Sequence, residues 1–160
     1  ELKAQIRRMC KKHGCVLVEE FIPGTECTVL VAEDVKGKTV TYTPIQYKFP
    51  IGETFKHQAI KWKDFDKIDA FPVKDKKLNR KLRKISSTFF KAIRGVSYGR
   101  CDFRVDKNNE PYLLEINPNC GLYYPIYAAG SADLCLLAQK YGHNKFTRQI
   151  IKSALNRLKK

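Results

Sequence analysis

Two carboxylates, an arginine and an amide stand at alternating positions in two short stretches, Gly99-Arg100-Cys101-Asp102-Phe103 and Tyr112-Leu113-Leu114-Glu115-Ile116-Asn117. On a strand, alternate side chains share a face, so Arg100 falls with Asp102 and Glu115 with Asn117. The opposite parity, Cys101, Phe103, Leu114 and Ile116, is apolar and is expected to face a core. The polar turn Asp106-Lys107-Asn108-Asn109 joins the stretches into an antiparallel hairpin, in which residues whose numbers sum to about 215 to 217 lie opposite each other. Asp102 then sits opposite or diagonal to Glu115, and Arg100 beside Asn117. Two carboxylates and an amide oxygen, with no thiolate or imidazole, form a hard-oxygen set suited to Mg²⁺. The competing reading is a solvated face on which Arg100 neutralises Asp102 or Glu115. Asn117-Pro118-Asn119-Cys120-Gly121 leaves the strand through proline and glycine, which puts the set at a strand mouth, where sites concentrate.

The elements around this hairpin read as an antiparallel sheet with helices packed on it, α+β in class. Residues 1 to 13 carry Leu2, Ile6 and Met9 at helical spacing, and Gly14 ends that helix. Val16-Leu17-Val18 begins a strand, Pro23-Gly24 turns the chain, and Cys27 to Ala32 forms a second strand. A Lys36-Gly37-Lys38 turn leads into a third, Thr39 to Thr43. Pro44 to Lys74 reads as a long loop with short strands. Lys76 to Ile93 places Leu78, Leu82, Ile85, Phe89 and Ile93 on one face of an amphipathic helix. Ser97 to Val105 and Pro111 to Asn117 are the hairpin strands, and 131 to 141 and 144 to 158 are closing helices. No repeat or low-complexity linker divides the chain, which is read as one domain.

The strings GRCDFRVDKNNEPYLLEINPNCG and VLVEEFIPGTECTVLV together resemble the two signature regions of D-alanine–D-alanine ligases, within the ATP-grasp superfamily. The resemblance covers residues 15 to 121 well and 131 to 155 weakly. It implies the carboxyl-terminal ATP-grasp subdomain, with the amino-terminal domain and first ATP-grasp subdomain outside these 160 residues. It also implies ATP as cosubstrate and two Mg²⁺ ions, replaceable by Mn²⁺. Asp102, Glu115 and Asn117 match the metal-ligating residues. Arg100 matches the arginine that holds the transferred phosphoryl, a task suited to its fixed planar fork. Gly121 matches a glycine whose amide cradles the tetrahedral intermediate. In the linker, Glu19 matches the adenine amino contact, the backbone of Glu20, Phe21 and Ile22 the ring edge, and Glu26 the ribose contact. Phe21, Ile22 and Leu114 are expected to line the purine slot. Taken alone, adjacent acids such as Glu19-Glu20 are usually solvated.

Phe55 to Trp62 resembles the loop over the phosphates, with Lys61 as its phosphate lysine and Lys48 and Lys56 as rivals. The segment 122 to 130, with Tyr123, Tyr124 and Tyr127, departs from the family's short polar run. It is expected either to set the acceptor or to pack the loop on the sheet. The reaction implied is carboxylate–amine ligation through an acyl phosphate, with a small amino-acid-like substrate. The alternative is a non-catalytic nucleotide-binding or interaction module that keeps the fold.

Composition narrows the rest. The chain is 43% hydrophobic and 11% aromatic, enough for a packed core. No apolar run approaches the ~20 residues of a membrane span, and the first residues, Glu1 to Lys12, are charged and helix-prone with no apolar secretory core, so a cytoplasmic setting without membrane contact is expected. Six cysteines at 10, 15, 27, 101, 120 and 135 lack zinc-ligand spacing and read mostly as small core residues. His13, His57 and His143 are dispersed, with solvated or capping roles expected, and Ser131 and Cys120 lack a nucleophile's partners. The net charge of +15 favours anionic partners in general, but it gathers at Lys74 to Lys84 and in the tail. A nucleic-acid reading would rest on that charge alone.

Overall fold

The computed structural model describes residues 1–55, 68–140 and 142–159. Its centre is a six-stranded sheet built from β1 (Thr25–Glu33), β2 (Thr39–Thr41), β3 (Ile45–Lys48), β4 (Asp69–Pro72), β5 (Tyr98–Val105) and β6 (Pro111–Pro118). The main order is β4-β3-β1-β5-β6, with β2 also paired to β1, and the pairings are antiparallel. β1 lies centrally because Cys27 to Ala32 is apolar or neutral on both faces, and all six of these residues are buried. The α+β expectation holds.

Each face of the sheet has its own core. One gathers Cys27, Val29 and Val31 of β1 with Cys101, Phe103 and Val105 of β5 under helix α2 (Lys76–Ala92). Asp75 starts α2 by accepting the amides of Lys77 and Leu78 at 2.7 and 2.9 Å, the usual service of an N-cap carboxylate. The helix buries Leu78, Leu82, Ser86 and Phe90, each four residues from the last. The stripe expected through Phe89 and Ile93 is therefore displaced: Phe90 is the inserted aromatic, and Ile93 is half exposed.

The opposite face carries Leu30, Ala32, Tyr42, Ile45 and Tyr47 under α3 (Ser131–Leu137) and α4 (Gly142–Leu158). The first closing helix is shorter than the expected 131 to 141, ending at Leu137. This second cover reaches only part of its face. Among the described residues, the part these two helices do not cover carries Glu26 and Asp102, both half-buried, and Glu115, exposed.

The amino-terminal reading needs one correction. Helix α1 (Leu2–His13) ends at Gly14, φ 83°, as expected, but buries no residue. Val16-Leu17-Val18 is not a strand: residues 15 to 21 run exposed and unladdered into the turn before β1. Among the described residues no neighbouring strand offers this stretch its backbone hydrogen bonds, so β-prone side chains alone do not make it one.

Candidate active site

The hairpin register places Asp102 directly opposite Glu115 and Arg100 directly opposite Asn117, as the turn arithmetic requires. Opposed residues in an antiparallel pair have Cβ atoms only about 4.5–5.5 Å apart, so the four side chains share one patch of one face. Between Asp102 and Phe103 the ladder shifts by one residue. The bulge falls at Leu114. It turns Leu113, rather than Leu114, onto the α2-side core, and leaves Leu114 half exposed beside Glu115. This overturns the expectation that Leu114 faces the core: an inserted residue breaks the alternation on which that expectation rested.

Asp102 is tightly held. Arg100 Nε lies 2.9 and 3.2 Å from its two oxygens, and Nη2 donates to Oδ2 at 2.7 Å. From β1, Thr28 Oγ1 donates to Oδ1 at 2.7 Å across a separation of 74 residues. The Arg100–Asp102 neutralisation weighed from sequence is thus present, as a pair along one strand. Burial opposes the guanidinium charge, but the hydrogen bonds and charge of Asp102 outweigh it and raise the Arg100 pKa. The nearby thiols are held in their protonated form at neutral pH. Burial pushes Cys101 and Cys120 each up to about 11.

Among the described residues no group of three or more His, Cys, Asp or Glu is gathered. The polar set is the Asp102 and Glu115 carboxylates with the Asn117 amide, all on oxygen-rich side chains. That donor chemistry fits a hard cation and no soft one.

The linker is positioned by a residue the sequence reading did not single out. Arg104 shares the face of Arg100 and Asp102, and its side chain is buried. Nε donates to Ile22 O at 2.8 Å, Nη2 to Gly24 O at 3.2 Å, and Nη1 to Thr54 O at 2.7 Å. The guanidinium also stacks 4.9 Å from the Phe21 ring centre and lies 3.5 Å from Glu26 Oε1. Phe21 meets Phe55 edge to face at 6.3 Å. One arginine therefore ties Phe21, Ile22 and Glu26 to the sheet. Glu19 and Glu20 are exposed, and Ile22 is half-buried. The signal for Arg104 was its parity: a charged residue alternating with core residues inside a strand needs partners.

Lys61, Trp62, Lys56 and His57 lie outside the described residues, and Lys48 is exposed at the end of β3. Beyond Gly121 the chain is organised by another residue missed from sequence, the buried Asp133, whose Oδ1 lies 2.8 Å from His143 Nε2. Nothing in the S-A-D string distinguishes it from an ordinary first-turn acid.

Residues 1–128 match the family model described as D-ala D-ala ligase C-terminus. D-alanine–D-alanine ligases from Aquifex aeolicus and Laribacter hongkongensis are 30% and 32% identical over 122 and 108 residues, which is 76% and 67% of this chain. The chain spans only 39% and 33% of those relatives' length. Among solved structures, the Bacillus anthracis D-alanine–D-alanine ligase superposes with TM-score 0.69 at 19% identity, over 99% of this chain and 49% of that one. The D-alanyl-alanine synthetase A of Vibrio cholerae gives 0.65 at 20% identity, over 86% and 40%. These matches show that the chain belongs to the D-alanine–D-alanine ligase family and corresponds to its carboxyl-terminal region, with the ATP-grasp fold.

Proposed function

We propose that this chain is the ATP- and Mg²⁺-binding portion of a carboxylate–amine ligase, completed by an amino-terminal domain and first ATP-grasp subdomain that these 160 residues do not include. The observation that carries the reading is the direct pairing of Asp102 with Glu115 and Arg100 with Asn117 on one sheet face. Asp102, Glu115 and Asn117 are the residues that would hold the metal, which when bound neutralises phosphate charge and polarises the transferred group.

The chain's own residues have separable tasks. Glu19, Glu20, Phe21, Ile22 and Leu114 form the adenine side, and Glu26 the ribose side, of an ATP slot held to the sheet through Arg104. Lys61 is assigned to the phosphates. Arg100 holds the γ-phosphoryl as it passes to the donor carboxylate, with ADP leaving. The acceptor amine then attacks the acyl carbon, phosphate departs, and the oxyanion of the tetrahedral intermediate is met by Arg100 and the Gly121 amide. Such a reaction needs a small amino-acid-like substrate and fits a cytoplasmic setting. Among the described residues no helix is long and apolar enough to cross a membrane.

Mn²⁺ binding followed by electron paramagnetic resonance, with ATP present, tests the assignment on the intact polypeptide. Wild type should bind Mn²⁺, and Asp102→Asn and Glu115→Gln should each weaken it at least about tenfold. Equal binding by all three would remove the carboxylates from the metal site. Binding of Mn²⁺ and ATP with no ADP released, whichever amino acids are supplied, would favour the non-catalytic module.

A further inference from the structure

Along its carboxyl-terminal half, helix α4 is turned the wrong way round. A surface helix ordinarily gives its apolar stripe to the core and its polar side to solvent. α4 begins that way, inserting Phe146 between Tyr42 and Tyr98, with ring centres 5.6 and 5.4 Å away. Beyond Phe146 the row that faces the sheet is polar. Gln149 Nε2 donates to Glu33 O at 3.0 Å, Ser153 Oγ donates to Glu33 Oε2 at 2.9 Å, and Arg157 Nη1 donates to the same oxygen. Asn156 Nδ2 reaches the turn between β1 and β2, donating to Val35 O at 2.9 Å. Of the larger aliphatic residues in this half, Ile150 packs partly against the core. The others lie on the side of the helix away from Gln149 and Ser153: Ile151 and Leu155 are each 52% exposed, and Leu158 is 84% exposed.

Ile151, Leu155 and Leu158 stand at spacings of four and three residues. That is the narrow seam by which one helix packs along another, not the broad apolar face that a helix lays into a bilayer. Lys152 and Lys159 follow Ile151 and Leu158 along one flank of the seam, the place where charge selects a partner helix. Among the described residues neither lysine has an acidic partner. Between these lysines and Val35 lies a cleft of about 410 Å³, lined also by Leu155 and Asn156. It is a recess that side chains of an incoming segment can enter and a flat lipid surface cannot. The bonds to Glu33 and Val35 fix the helix in advance, so little ordering cost opposes docking. Charge decides between a second copy and a different protein. α4 has no acidic residue, and neither has α1 or α2. Another copy of this chain could therefore offer the seam only a further cationic helix, with lysine set against lysine.

We propose that the outer face of α4, formed by Ile151, Leu155 and Leu158 with Lys152 and Lys159, docks an acidic amphipathic helix of another protein. The partner's aliphatic side chains pack along the seam and enter the cleft beside Val35. Its carboxylates meet the two lysines at the rim, where they steer the encounter and fix the register. The surface adjoins the end of β1 away from Glu26 and Thr28, and it requires nothing of the ligase reading.

The test uses the intact polypeptide and a fluorescently labelled helical peptide of about three heptads, with leucine along its seam and glutamate on both flanks. Binding is followed by anisotropy at physiological salt. Wild type should bind the peptide. Leu155→Ser combined with Leu158→Ser should weaken binding at least about tenfold, with Tm unchanged because both side chains are exposed. Lys152→Glu combined with Lys159→Glu should weaken it about tenfold as well, and that variant should instead bind a peptide whose glutamates are replaced by lysine. Lys77→Glu combined with Lys84→Glu makes the same change of net charge on α2, and should leave the affinity within about twofold of wild type. An equal loss in the α2 variant assigns binding to the general positive field and overturns the docking surface, as does wild type that fails to bind the peptide. Two other occupants have their own readouts. A dimer in sedimentation velocity that Leu155→Ser dissociates would give the seam to a second copy. Flotation with vesicles of phosphatidylcholine and phosphatidylglycerol, lost in Leu155→Ser while no peptide binds, would give it to a membrane. Either result overturns the proposal.

Discussion

Asp102 is oriented before any ligand arrives, by the Arg100 fork on one side and the Thr28 hydroxyl on the other. A carboxylate so fixed presents a defined lone pair to a cation, and the residue that fixes it deserves as much scrutiny as the ligand. Thr28 is buried, and valine has nearly its shape. Thr28→Val should therefore keep the fold and lower Mn²⁺ affinity about tenfold, with Thr28→Ser in between, as read by Mn²⁺ titration with ADP present. Affinities unchanged across the three would mean that Asp102 needs no such support. The Asp102–Glu115 pairing was legible in the sequence because a four-residue turn fixes the local register. Thr28 was not, since it reaches Asp102 from a strand 74 residues away whose neighbour no local pattern announces. Arg104 gave a parity signal without naming its partners.

Among the elements, the most constrained passage is the turn from the linker into β1. Gly24 has φ 148°, and a Cβ there would lie 1.9 Å from the Val105 carbonyl oxygen. Both the conformation and the contact demand glycine. Gly24→Ala should push the turn off β5, disturb the carbonyl that Arg104 holds, lower Tm and raise the ATP KM together. An unchanged ATP KM would show that the turn does not position the slot. Helix α2 allows a check on pH. The amides of Leu78 and Lys77 hold the Asp75 carboxyl below the usual carboxylate range. The folded state thus favours the charged form, and the cap contributes fully above the ordinary carboxylate pKa of about 4. Its contribution is lost as pH falls through the depressed folded value. Thermal melts should show wild type losing its advantage over Asp75→Ala as the medium is acidified. A gap that stays constant with pH would assign the cap's effect to something other than charge. Element types were readable from apolar periodicity, and the hairpin ends nearly so. What periodicity missed were the β-bulge at Leu114, which breaks the alternation it depends on, and the linker, whose extended chain has no described partner strand.

At the scale of the whole molecule, one part of the +15 charge lies away from the proposed site. The lysine-rich stretch from Lys74 to Lys84 falls largely on α2, which covers the face of the sheet opposite Asp102. The excess charge attracts ATP without recognising it, and that attraction fades beyond about 8 Å at physiological salt. Recognition would come from the proposed slot. Along residues 15 to 21 the linker stands exposed, with Leu17, Val18 and Phe21 each more than half open. The resemblance assigns further phosphate-binding lysines to the family's first ATP-grasp subdomain, outside these residues. Each missing charge-assisted contact removes about 1.5–3 kcal/mol. Two of them would weaken binding by roughly two to four decades. Calorimetry on the isolated 160-residue chain should therefore find ATP binding weak at physiological salt and apparently tighter at low salt, with no phosphate released. The salt dependence separates the two contributions: a slot that recognises ATP keeps its affinity when the general field is screened, whereas attraction to a lysine-rich surface does not. Micromolar, salt-resistant binding with turnover would mean that this region alone supplies the phosphate contacts assigned here to the rest of the enzyme.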